Sequence, residues 1–244
     1  LDGRKELIAG TTVGLYAFNI DGSVLPGFPV SRNIDSRCIP AVYDIDADGF
    51  PDIIYTTAVG LHVVDRLGQS LAGFPTADFT GQVYLGYPTP TVTKLALEND
   101  SAIVLINAIG QVRARYFSGR SYFYSLGGLF TRIDPNITNN YRFTGISIPH
   151  LVSLDINHDG RNELIGAYSS PAANSGLFAF NGRDGQPANR RVSAQLLRII
   201  ESHGLALGDV DHDGAIDILM SGRNEDRLTT LWLRRDGVTD LPGW

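Results

Sequence analysis

The stretch VYDIDADGFPDIIY, Val42 to Tyr55, sets four aspartates within nine residues and then runs into an apolar segment. Crowding that many carboxylates without a counter-charge costs on the order of several kcal/mol per group, so a cation or full hydration has to accompany them. The spacing favours a cation. Asp44, Asp46, Asp48 and Asp52 stand at loop positions one, three, five and nine, and Gly49 follows the third acid, where the chain must turn sharply. The backbone carbonyl of Phe50, at position seven, offers a further oxygen. A hard cation taking about 6 to 8 oxygen ligands, which is calcium, suits this inventory best.

An EF-hand shares the D-x-D-x-D-G opening, but it needs a bidentate Glu at position twelve and a helix on each side. Position twelve here is Tyr55, and the flanks IPAVYDI and PDIIYTT are short, rich in β-branched residues and bounded by Pro. They read as strands, which makes the unit a strand, a metal loop and a strand.

The unit recurs. LDINHDGRNELIG carries Asp155, Asn157, Asp159 and Glu163, with the Arg161 carbonyl at position seven. GDVDHDGAIDILM carries Asp209, Asp211, Asp213 and Asp217, with Ala215 at position seven. The opening LDGRKELIAG matches the second half of a loop through Asp2, Gly3 and Glu6. A fifth copy, displaced by fifty residues from the second, puts Lys94, Ala96, Glu98 and Ala102 at the ligand positions, and one acid beside a lysine does not hold calcium. About three calcium ions are therefore expected. Downstream of the loops comes a second signature, a glycine or threonine followed by alternating apolar residues and a turn. It starts at Gly14, Gly60, Gly176 and Thr230, and it closes twice on Gly-Phe-Pro, at Gly27 to Pro29 and at Gly73 to Pro75.

Four short antiparallel strands per unit of about 40 to 60 residues describe a β-propeller blade. The fold expected is all-β, a propeller of four-stranded blades with calcium-binding loops. The repeats lie near 1–40, 41–88, 89–148, 149–203 and 204–244, the third being degenerate and carrying an insertion at 115–149. The three acidic loops and the Gly-Phe-Pro turns resemble FG-GAP or VCBS repeats, the units of the integrin alpha-subunit propeller and of many microbial surface proteins. That resemblance implies an extracellular or cell-surface module for adhesion or recognition, with a protein or glycan partner. GLYAFNIDGSVLPG is also similar to quinoprotein propeller blades, a family that leaves the acidic loops unexplained. About five repeats are seen, and the expectation is a portion of a larger propeller.

Composition narrows the classes. The net charge of −6 argues against nucleic acid, which calls for a basic stripe. No run is long enough to span a membrane. One cysteine, Cys38, excludes an internal disulfide. Calcium modules of extracellular type bind at about 10⁻⁴ to 10⁻³ M and would stand empty in cytosol, which places the chain outside the cell. Only SAQLLRIIESHG, Ser193 to Gly204, has a helix-like pattern, and the repeat makes it strand or loop.

Two further features bear on function. The insertion is dense in aromatic residues interleaved with arginine, and Tyr122, Phe123 and Tyr124 are consecutive, which suits a partner-binding surface or the packing of a long loop. His150 and His203 each precede an acidic loop. Because some polysaccharide lyases resemble this propeller, a lyase or hydrolase using one of these histidines as base is the alternative from another class, and a glycan-binding lectin is a third. His158 and His212 occupy the fourth loop position, which takes no part in ligation, and should be solvated.

Overall fold

The computed structural model describes residues 5–30, 38–57, 60–76, 89–95, 100–106, 111–119, 121–125, 151–155, 161–170, 173–181, 199–209, 212, 216–224 and 229–235. Every regular element among them is a β-strand and every strand pairing is antiparallel. The chain divides into two compact units, Leu1–Pro90 and Thr91–Trp244.

In the first unit β1 (Leu7–Thr11) pairs with β2 (Gly14–Phe18), while β3 (Ala41–Tyr43), β4 (Asp52–Thr57) and β5 (Gly60–Val64) form a sheet in that order. These are short runs of Leu, Ile, Val, Thr and aromatic residues, which suit a pleated and half-buried surface better than a helix. The two sheets repeat each other in detail. Thr11 lies opposite Gly14 as Thr57 lies opposite Gly60. Further out, Leu15 bridges Val30 and Phe18 bridges Val24, as Leu61 bridges Thr76 and Val64 bridges Ser70. The Phe28–Pro29 and Phe74–Pro75 bonds are both cis, and each follows a glycine in the left-handed region, Gly27 at φ 89° and Gly73 at φ 85°.

Leu15, Ala17 and Phe28 from the first sheet meet Cys38, Ile53, Tyr55 and Val64 from the second in one apolar core. The backbone approach is closest at Gly27, where an added Cβ would lie 1.9 Å from the carbonyl oxygen of Leu67, so only glycine fits between the two turns. Cys38 is a free, buried thiol whose sulfur accepts the Thr56 N–H at 3.2 Å. Burial pushes that thiol's pKa up.

The second unit holds three sheets. The first runs β6 (Thr91–Thr93), β7 (Ala102–Ile106), β8 (Gln111–Tyr116), β9 (Ser121–Ser125); the second β10 (Leu151–Leu154), β11 (Glu163–Ser170), β12 (Ala173–Asn181); the third β13 (Ile199–Gly208), β14 (Asp217–Asn224), β15 (Thr229–Arg235). β6 and β10 lie side by side. Thr91 Oγ1 donates to the Leu151 carbonyl at 2.7 Å, the Thr93 and Ser153 hydroxyls bond each other, and Asn162 Nδ2 donates to Thr93 Oγ1 at 3.1 Å. The short first strands of consecutive sheets are thus adjacent. The helix-like stretch resolves as expected where it is described, because Ile199 to Gly204 is strand. The insertion begins inside a sheet, since β8 and β9 carry the chain as far as Ser125; residues 126–150, with His150, lie outside the described residues.

Candidate metal centre

One register governs all four hairpins that carry a loop. Tyr43 lies opposite Asp52, Thr93 opposite Ala102, Leu154 opposite Glu163 and Gly208 opposite Asp217. The residue before loop position one therefore pairs with position nine every time. That places position one just past the end of the first strand and makes position nine the first residue of the second.

The loop at Asp44 to Asp52 is described throughout. One carboxylate oxygen from each of Asp44, Asp46 and Asp48 falls within 4.8 Å of the others, a cluster that can hold a metal ion. The loop's own N–H groups fix the acids in place. Asp44 accepts from Asp48 N at 3.1 Å through Oδ1 and from Gly49 N at 3.0 Å through Oδ2, Asp46 Oδ1 accepts from Asp48 N at 3.2 Å, and Asp48 Oδ1 accepts from Phe50 N at 2.8 Å. A carboxylate has about four acceptor sites, so one or two N–H donors leave capacity for a cation. Two residues take left-handed backbone to turn the acids inward, Ala47 at φ 61° and Gly49 at φ 88°. Phe50 is pinned from outside by Arg66, whose guanidinium carbon stands 4.5 Å from the ring centroid. Sequence reasoning missed Arg66, because it lies in the β5 turn and nothing in the local pattern ties that turn to the loop.

Asp52 differs from the other three. It is 3% exposed, and its Oδ2 accepts the Ile45 N–H at 2.8 Å. Burial raises its pKa above the usual carboxylate value; the Ile45 N–H opposes this, and the charges of Asp46, Asp48 and Asp44 add to it. The corresponding acids of the other loops are as deeply placed, Glu163 and Asp217 each being 1% exposed. In the degenerate repeat the same position is Ala102, at 0%. An acid is therefore buried where the sequence supplies a full acidic loop, and an apolar residue where it does not.

The remaining loops are described in part. Asp155 and Asp209 follow their first strands and are half-buried, as is Arg161. Asn157, Asp159, Asp211, Asp213 and Ala215 lie outside the described residues. His212, at the fourth position of its loop, is exposed and sits at φ 62°, the conformation of Ala47 at the same position. In the degenerate loop Lys94 is exposed, and its carbonyl accepts from Asn162 N at 3.4 Å. Tyr122, Phe123 and Tyr124 belong to β9, opposite Ala114, Arg113 and Val112 respectively.

Another feature absent from the sequence reading is His62, buried in β5. It stacks on Tyr55 with centroids 4.8 Å apart, and its Nε2 bonds Thr57 Oγ1 at 2.8 Å. Burial lowers its pKa. A histidine at the centre of GLHVV was the available signal.

Among the described residues no helix is long and apolar enough to cross a membrane. No family model matches the chain, and no curated protein matches it. Solved structures do. The chain is similar to the biofilm matrix protein Bap1 of V. cholerae, with 16% identity and a TM-score of 0.56 over 95% of this chain and 35% of that one. It is similar to BBS1N, solved in complex with ARL6DN, at 10% identity and a TM-score of 0.52 over 96% of this chain and 65% of that one. A protein of unknown function from Bacteroides caccae gives 12% identity and a TM-score of 0.50 over 98% and 74%. The chain spans about a third of the length of the biofilm protein, and at these identities the likeness is one of fold.

Proposed function

We propose that this chain is a segment of a calcium-stapled β-propeller of FG-GAP or VCBS type, working outside the cell in the recognition of a protein or glycan. The observation that carries the metal reading is the pairing of buried position-nine acids with acid-rich loops, set against Ala102 where the acids are lost. Taking three carboxylates to within a few per cent of full burial is tolerable when a divalent cation neutralises them. Asp44, Asp46, Asp48 and Asp52 would hold one ion with the Phe50 carbonyl. Asp155, Asn157, Asp159 and Glu163 would hold a second with that of Arg161, and Asp209, Asp211, Asp213 and Asp217 a third with that of Ala215. Calcium supplies charge neutralisation and ties two strands together; the protein residues shape the turn.

The propeller reading is supported by one hairpin register in four repeats, by the Gly-Phe-Pro turns and by the adjacency of β6 and β10. The calcium range of such modules, about 10⁻⁴ to 10⁻³ M, supports an extracellular setting. Likeness in fold to a biofilm matrix protein is compatible with that setting.

Within the aromatic run Phe123 is the ring chosen for recognition. By strand register Tyr122 and Tyr124 stand opposite Ala114 and Val112, which are buried, whereas Phe123 stands opposite Arg113, which is half-buried. The test is a glycan array and a panel of purified surface proteins probed with calcium-loaded chain and with Phe123→Ala. Retention by the wild type and loss in the variant at unchanged melting temperature is the expected result. Equal retention by both would remove Phe123 from the site. Cleavage of an acidic polysaccharide, abolished by His203→Ala, would replace recognition with catalysis.

A further inference from the structure

Among the described residues the outer edge of β1 pairs with no strand. A translation of 46 residues carries β1 and β2 onto β4 and β5 with the same register, Leu7 onto Ile53, Ile8 onto Ile54 and Gly10 onto Thr56. β4 has β3 on its far side, whereas among the described residues β1 has a partner only in β2. Burial follows: every residue of β4 is buried, with Ile53 at 5%, while no residue of β1 is buried and Leu7 is 66% exposed.

The main-chain groups that face this edge follow from the bonds on the far side of β2. Leu25 N donates to the Ala17 carbonyl at 2.8 Å, and Leu15 N and O both bond Val30 at 3.0 Å. Leu15 and Ala17 therefore turn away from β1, and Gly14, Tyr16 and Phe18 turn toward it, where they meet Thr11, Ala9 and Leu7. Ile8 and Gly10 present their N–H and C=O groups to the other side. The equivalent groups in the second sheet are engaged there: Thr56 N bonds Cys38 Sγ, and Ile54 lies opposite Ala41 of β3.

We propose that the Ile8–Gly10 edge binds one kind of occupant, a strand of this chain's own first-strand type contributed by another repeat of the same kind. The pattern of such strands recurs in the chain. AVY, TVT and LVSL are the first strands of three sheets, each with valine inside, and the acidic repeats continue into Asp-x-Asp or Asp-x-Asn. An occupant in the common register would set its residue before the first aspartate opposite Glu6, as Tyr43 stands opposite Asp52. This rests on the repeat register and not on the loops holding calcium.

The test uses the whole chain with a labelled peptide of residues 39–49, IPAVYDIDADG, in chelator so that metal binding plays no part. The peptide should bind saturably and slow amide exchange at Ile8 and Gly10 by roughly tenfold, leaving Ala9 unchanged, because Ala9 is already bonded to β2. N-methylation of the peptide at Tyr43, whose amide faces the edge, should abolish binding; N-methylation at Val42, whose amide faces away, should spare it. Should the free peptide bind too weakly to saturate, the same strand joined through a flexible linker ahead of Leu1 provides the second measurement. Unchanged exchange at Ile8 and Gly10 in that fusion, or equal binding by the two N-methyl peptides, would overturn the proposal.

Discussion

Replacing Asp52 by Asn should have opposite consequences with and without calcium. In chelator the substitution removes a buried negative charge from beside Asp44, Asp46 and Asp48, while an amide oxygen can still accept the Ile45 N–H. The metal-free variant should therefore be as stable as the wild type or more so. With calcium the balance reverses, because the ion loses one of its anionic ligands. At a calcium concentration one hundred times the dissociation constant, a bound ion adds about 2.7 kcal/mol, and a roughly hundredfold loss of affinity removes most of it. For a chain of this size each kcal/mol moves the melting temperature by about 2–4 °C, so the calcium-loaded variant should melt about 5–10 °C lower. Calorimetry of both proteins with about 10 mM calcium and with chelator reads the two signs together, that concentration being roughly one hundred times the tight end of the extracellular range. Equal destabilisation in both conditions would show that the Asp52 carboxylate supports the fold independently of any ion. Full retention of the calcium-induced shift would show that it is no ligand.

His62 should make stability depend on pH. Its folded pKa is lowered by burial, so the unfolded chain binds the proton first; the stabilisation is complete above the unfolded value near 6.5 and is lost as pH falls from there through the lowered folded value. Urea unfolding at pH 7.5-like and mildly acid conditions should show a smaller loss in His62→Phe than in the wild type, and equal losses would remove His62 from the account. Gly27→Ala should cost on the order of 3 kcal/mol, combining left-handed backbone strain with collision against the Leu67 carbonyl. Gly22→Ala, at φ 84° with open space around the new methyl, should cost only about 1 kcal/mol by the same measurement. Arg66→Ala should lower calcium affinity at the Asp44 loop modestly, through loss of the Phe50 contact, and leave the other loops unchanged; an undiminished affinity there would make that contact incidental.

Local periodicity made the strands legible, and the repeats made their register legible. The fifty-residue shift that aligns Lys94 with Asp44 also carries Ala41–Tyr43 onto Thr91–Thr93 and Asp52 onto Ala102, and the observed hairpins obey it. The first three acids of the Asp44 loop were likewise readable, since spacing alone puts them on one side of a tight turn. The depth of Asp52, Glu163 and Asp217 was not, because burial at position nine depends on the strands flanking it and on the layer beneath, which pattern does not encode. The cross-turn contacts were also hidden. Arg66 on Phe50 and Gly27 against Leu67 join residues whose closeness arises only once strands have paired and sheets have stacked.

The most direct test of the central claim is the number and position of calcium ions on the purified chain, by metal analysis together with anomalous diffraction at the loops. The account predicts ions at Asp44 to Asp52, Asp155 to Glu163 and Asp209 to Asp217 and none at Lys94 to Ala102. A chain that retains no calcium at about millimolar concentration, the weak end of the extracellular range, or that holds an ion in the loop beginning at Lys94, would contradict it.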